Sequence, residues 1–169
     1  MAGPLTGVRI IDLTTVIMGP SATQILGDLG ADVIKIEAES GDTMRHIGPM
    51  RSPGMGPLFL QSNRNKRGIV LDLKSPAGSD KLRELIAGAD VLVSNIRPKA
   101  LARLGLDYQS ASKINPSIIY CAAVGYGQGG PYAGEAVYDD LMQAASGVSG
   151  MFQRVDGKPR HVIRPPPVV

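Results

Sequence analysis

Residues 7–37 read GVRIIDLTTVIMGPSATQILGDLGADVIKIE, a strand, turn, helix, turn, strand pattern. Residues 8–13 are a short, apolar, β-branched run, the signature of a strand covered on both faces. Gly19-Pro20 opens a helix, because proline suits the first turn, where its missing N–H is not needed. Ile25, Leu26 and Leu29 fall at helical spacing and mark its apolar stripe. Gly30 supplies a left-handed cap, and residues 33–37 form the second strand. Two strands joined by one helix in about thirty residues make a βαβ unit with parallel strands and a right-handed crossover. Ligands on such sheets lie beyond the carboxyl ends of the strands, here residues 14–21.

The same grammar continues outward. Residues 38–56 are polar and rich in Gly and Pro, a long loop with room for one helical turn. Residues 58–61 suggest another turn, and residues 68–73, GIVLDL, a strand. Ser75-Pro76 caps a helix whose face is Leu82, Leu85 and Ile86 and whose end is Gly88. A strand over 91–93 follows. Next come a short helix from Arg97-Pro98 (apolar face Ala100, Leu101, Leu104), a helix over 108–114 and a strong strand over 118–124. Residues 125–134, GYGQGGPYAG, hold five glycines, a composition that lets backbone approach a ligand. A helix from 136 or 137 to 146 turns Leu141, Met142, Ala144 and Ala145 inward, and Gly147 and Gly150 stop it. A turn at Asp156-Gly157 and an extended proline run end the sequence. The fold class is α/β, Rossmann-like, with a mostly parallel sheet and flanking helices. Residues 1–150 form the domain, and 151–169 an extended segment leading away from it.

The chain has 169 residues, of which 43% are hydrophobic and 20% charged, an ordinary soluble composition. A net charge of +3 without a basic block argues against nucleic acid and suits anionic metabolites. One cysteine, Cys121, excludes an internal disulfide and fits a reducing, cytoplasmic setting. No apolar run is long enough to span a membrane, and MAGPLTG has no signal-peptide character.

Chemistry is sparse at the level of motifs. The first turn lacks G-x-G-x-x-G, which argues against NAD, and no Walker-type phosphate loop is present. His46, His161 and Cys121 meet no metal-ligand spacing, and Cys121 reads as a small core residue. No G-x-S-x-G occurs. Asp139-Asp140 at a helix start reads first as a favourable pairing with the helix dipole. Arg64, Lys66, Lys74, Arg97 and Arg103 lie near strand ends, where several cations can converge on an anion.

Seven segments carry more than this: residues 4–37, then SGDTMR, NRNKRGIVLDLKSPAG, DVLVSNIRPKALARLGLDY, NPSIIYCAAVGYGQGGPYA and VYDDLMQAASG, in this order, and the closing extended segment. Together they resemble the N-terminal part of the family III CoA-transferases, the group that includes formyl-CoA transferase and carnitine CoA-transferase. The resemblance implies an incomplete large Rossmann-like domain and a full chain of about twice this length, two copies of which interlock as a homodimer. It implies transfer of CoA between carboxylic acids through a covalent intermediate on a catalytic Asp. Coenzyme A, as acyl-CoA, is then a substrate beside a small carboxylic acid, with no permanently bound cofactor and no metal.

By the same resemblance, Val16, Ile17 and neighbouring Met18 lie where CoA passes the first strand–helix turn. Leu71, Asp72, Leu73 and Lys74 match an L-D-x-K segment at the adenosine end, with Lys74 facing phosphate. Asn95, Ile96 and Arg97 match the next strand-end contact, and Arg103 a phosphate-binding Arg. Ala136, Val137 and Tyr138 match the contact near the pantetheine thiol, with Tyr138 close to the reacting centre. Ile17 and Ala38 replace a Gln and an Arg of the formyl-CoA transferase pattern and argue against oxalate/formate chemistry. The related α-methylacyl-CoA racemases use a His–Asp pair, and Tyr138 near that His position favours a transferase. The expected nucleophilic Asp falls just past Val169, so the sequence reads as a fragment, inactive alone. The alternative readings are a non-catalytic CoA-binding or interaction module and, further, an α-methylacyl-CoA racemase-like enzyme.

Overall fold

A computed structural model describes residues 3–151 and 157–158. The Asp156 turn, His161 and the proline run lie outside these residues. Residues 1–123 and 124–169 form two compact units.

In the first unit, the strands are β1 (Arg9–Leu13), β2 (Asp32–Glu37), β3 (Lys66–Val70), β4 (Val91–Ser94) and β5 (Ile119–Ala122). All pair in parallel, in the order β3-β2-β1-β4-β5. The chain builds leftward from β1 and then crosses to its other side. The topological switch point therefore lies between β1 and β4, where open α/β sheets place their ligand crevice.

The helices of this unit are α1 (Met18–Asp28), α2 (Pro57–Ser62), α3 (Pro76–Ala87), α4 (Pro98–Arg103) and α5 (Tyr108–Ile114), with a 3-10 turn at Thr43–His46. Ser75 caps α3 by accepting from Gly78 N–H, and Asp107 caps α5 by accepting from Ser110 N–H. Gly30 follows α1 at φ +101°, as its capping role requires. No helix among the described residues is long and apolar enough to cross a membrane.

The two faces of the sheet differ. On one, Ile11, Leu13, Ile34, Ile36 and Leu92 join Leu82 and Ile86 of α3, Leu101, Leu106 and Ala111 in an apolar core. On the other, Ile10, Val33 and Val93 form a smaller apolar cluster. Period-two alternation puts Asp12, Thr14, Lys35 and Glu37 on that second face, towards the carboxyl ends of the strands. All four are buried.

This polarity corrects the reading of α1. Its buried positions are Gly19, Pro20, Thr23 and Gln24, whereas Ile25 is 55% and Leu29 41% exposed. Of the expected stripe only Leu26 packs inward, against the smaller cluster; the other inward positions are small or polar, facing the charged part of the sheet. Strand β3 starts and ends earlier than the apolar run 68–73, because its pairing with β2 runs from Val33↔Lys66 to Glu37↔Val70. Ile118 and Tyr120 of the β5 stretch face the larger core, whereas Ile119 and Cys121 lie on the opposite face and are exposed, so Cys121 is not a core residue.

In the second unit, α6 (Asp139–Ala145) and α7 (Val148–Met151) are short. No residue of α6 is buried, so Leu141, Met142, Ala144 and Ala145 do not form an inward face. Gly147, at φ +78°, ends α6, but Gly150 lies inside α7 instead of stopping a helix. Asp139 and Asp140 occupy the first turn of α6, where the helix dipole favours them, and Asp139 accepts from the Gln143 amide.

Leu82→Ala should destabilise the protein by roughly 2–5 kcal/mol, whereas Ile25→Ala should cost less than about 0.5 kcal/mol. Urea unfolding of both variants checks this, and equal losses would contradict the assignment of α1's inward face.

Candidate functional site

The turn after β1 holds one of two non-glycine residues with positive φ among the described residues. Val16 has φ +75°, a left-handed conformation that costs a β-branched residue about 1–3 kcal/mol. Three neighbouring elements hold the residues around it. Lys35 Nζ, on β2, donates to Thr14 O at 2.8 Å. Asn95, after β4, accepts from Thr15 N–H at 3.1 Å and donates to Thr15 O at 2.9 Å. Asp42 Oδ1, in the loop after β2, accepts from Val16 N–H at 3.2 Å. The Asn95 pair spans the switch point between β1 and β4.

Beneath this turn lies a network of three carboxylates and three cations. Asp12 Oδ1 accepts from Thr14 N–H and its hydroxyl, and Oδ2 accepts from Thr23 Oγ1 at 2.6 Å and Lys66 Nζ at 3.0 Å. Lys66 also donates to Pro20 O and Asn63 Oδ1. Lys35 Nζ pairs with Asp42 Oδ2 at 3.0 Å, and neither side chain exceeds 2% exposure. Glu37 accepts from Asp42 N–H and takes both 2.7 Å bonds of the Arg45 guanidinium, which stacks 3.6 Å over the Phe59 ring. Every buried side-chain polar atom among the described residues has a partner, as buried charge demands.

The balance of forces shows in the acidities. Burial pushes the Asp12 carboxyl upward, but Lys66, the Thr14 and Thr23 hydroxyls and Lys35 outweigh it and hold it below the usual range. Glu37 behaves alike: burial raises it, while Arg45 and the Asp42 N–H bring it below its ordinary value. Burial dominates at Lys66 and lowers its pKa despite Asp12.

The sequence-identified positions divide into groups. Val16 is exposed and Ile17 half-buried in the held turn, and Met18 is exposed at the start of α1. Leu71, Leu73 and Ile96 pack partly against the larger core, leaving their backbone at the rim. Asp72 Oδ1 accepts from Lys74 N–H, closing its own turn. The side chain of Asn95 is fully engaged with Thr15. Lys74, Arg97 and Arg103 are exposed, and none forms an ion pair with a described residue. Arg103 stands at the far end of α4, one six-residue helix from the rim that carries Asn95 and Arg97. Two cations expected near an anion are committed elsewhere: Arg64 pairs with Asp28 and Lys66 with Asp12.

In the second unit, Val137 packs so closely on Gly125 that a Cβ there would come within 2.2 Å of it. Tyr138 precedes α6 and is 68% exposed, and Ala136 is exposed. No group of three or more His, Cys, Asp or Glu among the described residues can hold a metal. The sequence reading missed Asp12, Lys35 and Asp42. A signal existed for two of them, since Asp12 and Lys35 each interrupt a run of aliphatic residues within a strand.

Comparison with known proteins places this geometry in context. The family described as CoA-transferase family III matches residues 5–167. The succinate–glutarate CoA-transferase of Agrobacterium fabrum is 45% identical over 163 residues, covering 92% of this chain and 41% of that protein. The succinyl-CoA:glutarate CoA-transferase of Mus musculus is 46% identical over 157 residues, covering 92% and 36%. A CAIB/BAIF family protein from Brucella suis superposes with a TM-score of 0.91 at 38% identity, over 97% of this chain and 44% of that one. The chain thus spans about 40% of the length of the curated relatives it matches.

The network makes two predictions. Lys66→Met should cost about 3–5 kcal/mol, because it leaves the Asp12 carboxylate buried without its counter-charge. Asp12 and Glu37 titrate lower folded than unfolded, so in that window the unfolded chain binds more protons. Stability should therefore be full above about pH 5 and fall as the pH drops through about 4 and below. Urea midpoints between pH 3 and 7 test this. A midpoint unchanged down to pH 3, or a silent Lys66→Met, would refute the role assigned to the network.

Proposed function

This chain belongs to CoA-transferase family III, and from that premise we propose that it forms the CoA-holding part of an enzyme that moves CoA from an acyl-CoA to a second carboxylic acid. The observation that carries the reading is the rigid turn at residues 14–17, set at the switch point of a parallel sheet whose rim also bears the free cations Lys74 and Arg97.

The chemistry explains why such a rim is needed. A nucleophilic carboxylate attacks the thioester carbonyl, giving a mixed anhydride and CoA thiolate. The thiolate then attacks the enzyme's side of the anhydride, releasing the first acid and leaving CoA on the enzyme carboxyl as a thioester. The acceptor acid reverses these steps. The thiolate must stay beside the anhydride between bond changes, so the nucleotide end of CoA must remain anchored. In this reading Val16, Ile17 and the 71–74 turn line the path of CoA, and Lys74, Arg97 and Arg103 meet its phosphates. Val137 and Tyr138 are assigned to the pantetheine end on sequence resemblance. Asn95 and Ile96 act as supports of the rim.

Asp12, Glu37 and Asp42 are buried and saturated by hydrogen bonds, so none is placed as the nucleophile. The reading assigns that role to an Asp following Val169 and includes assembly as a homodimer. Short dicarboxylic acids are the first substrates to assay, by similarity to relatives named for succinate and glutarate.

Calorimetric titration with CoA at low salt should show binding. Lys74→Ala, Arg97→Ala and Arg103→Ala should each weaken it by about 1 kcal/mol, roughly fivefold, with the loss shrinking as salt rises. A folded wild-type protein that does not bind CoA would sink the reading.

A further inference from the structure

Asp42 has a role that the reaction does not require of it directly. Its side chain is fully buried, so it is closed to a substrate at the rim. Its two oxygens face different elements. Oδ1 accepts from Val16 N–H at 3.2 Å and Met44 N–H at 3.0 Å. Oδ2 takes the Lys35 ammonium at 3.0 Å, and the same ammonium reaches Thr14 O at 2.8 Å. The backbone of Asp42 is fixed in turn by Glu37, which the Arg45 guanidinium holds with two bonds. One carboxylate thus ties the loop after β2, the buried charge of β2 and the strained residue of the β1 turn. The Val16 conformation is unfavourable in isolation, so it persists because outside groups fix it.

We propose that Asp42, backed by Lys35, is a positioning residue for CoA: it acts through Val16, pinning the turn along which the substrate lies, and touches no substrate itself. This inference rests on the CoA-binding reading of the rim. It assigns to the 38–56 loop the task of setting the shape of the first strand–helix turn. The order of dependence runs from Arg45 through Glu37 to Asp42 and then to Val16.

The test compares Asp42→Ala, Asp42→Asn, Asp42→Glu and the remote core variant Leu82→Ala in the purified protein. The readouts are amide hydrogen exchange at Val16 and Ile17 and the Kd for CoA. Asp42→Ala should speed exchange at Val16 and raise the Kd roughly tenfold. Asp42→Asn keeps an oxygen for Val16 N–H and should recover most of the affinity. Leu82→Ala lowers stability but should leave the Kd unchanged. If Asp42→Ala does not fold, the comparison of Glu with Asn decides. Glu keeps the charge for Lys35 but displaces the acceptor from Val16, so it should bind CoA more weakly than Asn. Wild-type affinity in Asp42→Ala, equal affinity of the Glu and Asn variants, or equal weakening by Leu82→Ala overturns the inference while leaving the CoA reading intact. Absence of CoA binding by the wild type overturns both.

Discussion

Buried charge on one face of the sheet is the constraint on which the rest of the first unit depends. Asp12 and Lys35 sit opposite each other in register on β1 and β2, where a parallel sheet ordinarily carries aliphatic side chains on both faces. Neither charge can be left without a partner in that environment. Their counter-charges come from outside the strand pair: Lys66 from β3 for Asp12, and Asp42 from the following loop for Lys35. The edge of the sheet and the course of a long loop are therefore fixed by electrostatics as much as by apolar packing. A further ion pair, between Glu37 at the end of β2 and Arg45 in the loop, extends the same arrangement outward.

The network also explains two features that otherwise look unfavourable. Helix α1 exposes Ile25 and buries Thr23 because Thr23 Oγ1 donates to Asp12. Val16 occupies a conformation suited to glycine because Asp42 accepts its N–H while Asn95 grips Thr15 on both sides of the peptide. A strained turn and a buried carboxylate are each costly alone. Here they meet at the switch point, where Asp42, Lys35 and Asn95 hold the backbone of residues 14–16.

Much of the fold was legible in the residues. The βαβ opening, the Ser75-Pro76 start of α3, the alternation of strand and helix and the position of the rim follow from local rules: proline at first turns, glycine at helix ends, β-branched runs in strands. Those rules depend on neighbours in sequence and survive without tertiary information. They failed where burial was decided at a distance. Cys121 reads as core by its apolar surroundings, yet it lies on the face of β5 opposite the larger core. Leu141 and Met142 read as an inward face, yet α6 buries no residue.

The candidate site divides the same way. By itself the sequence determined the family resemblance, the turns that carry it and the exposed cations Lys74, Arg97 and Arg103, because motifs and turn chemistry are local. Only the tertiary structure decided that Lys66 and Arg64 are bound to carboxylates, that Asn95 braces a turn, and that Asp42 and Lys35 lie beneath Val16. The physical reason is that an ion pair is specified by where two side chains meet in space. The ion-paired residues of this network stand as far apart as 54 residues, the separation of Asp12 from Lys66, and only a formed sheet brings them to 3.0 Å.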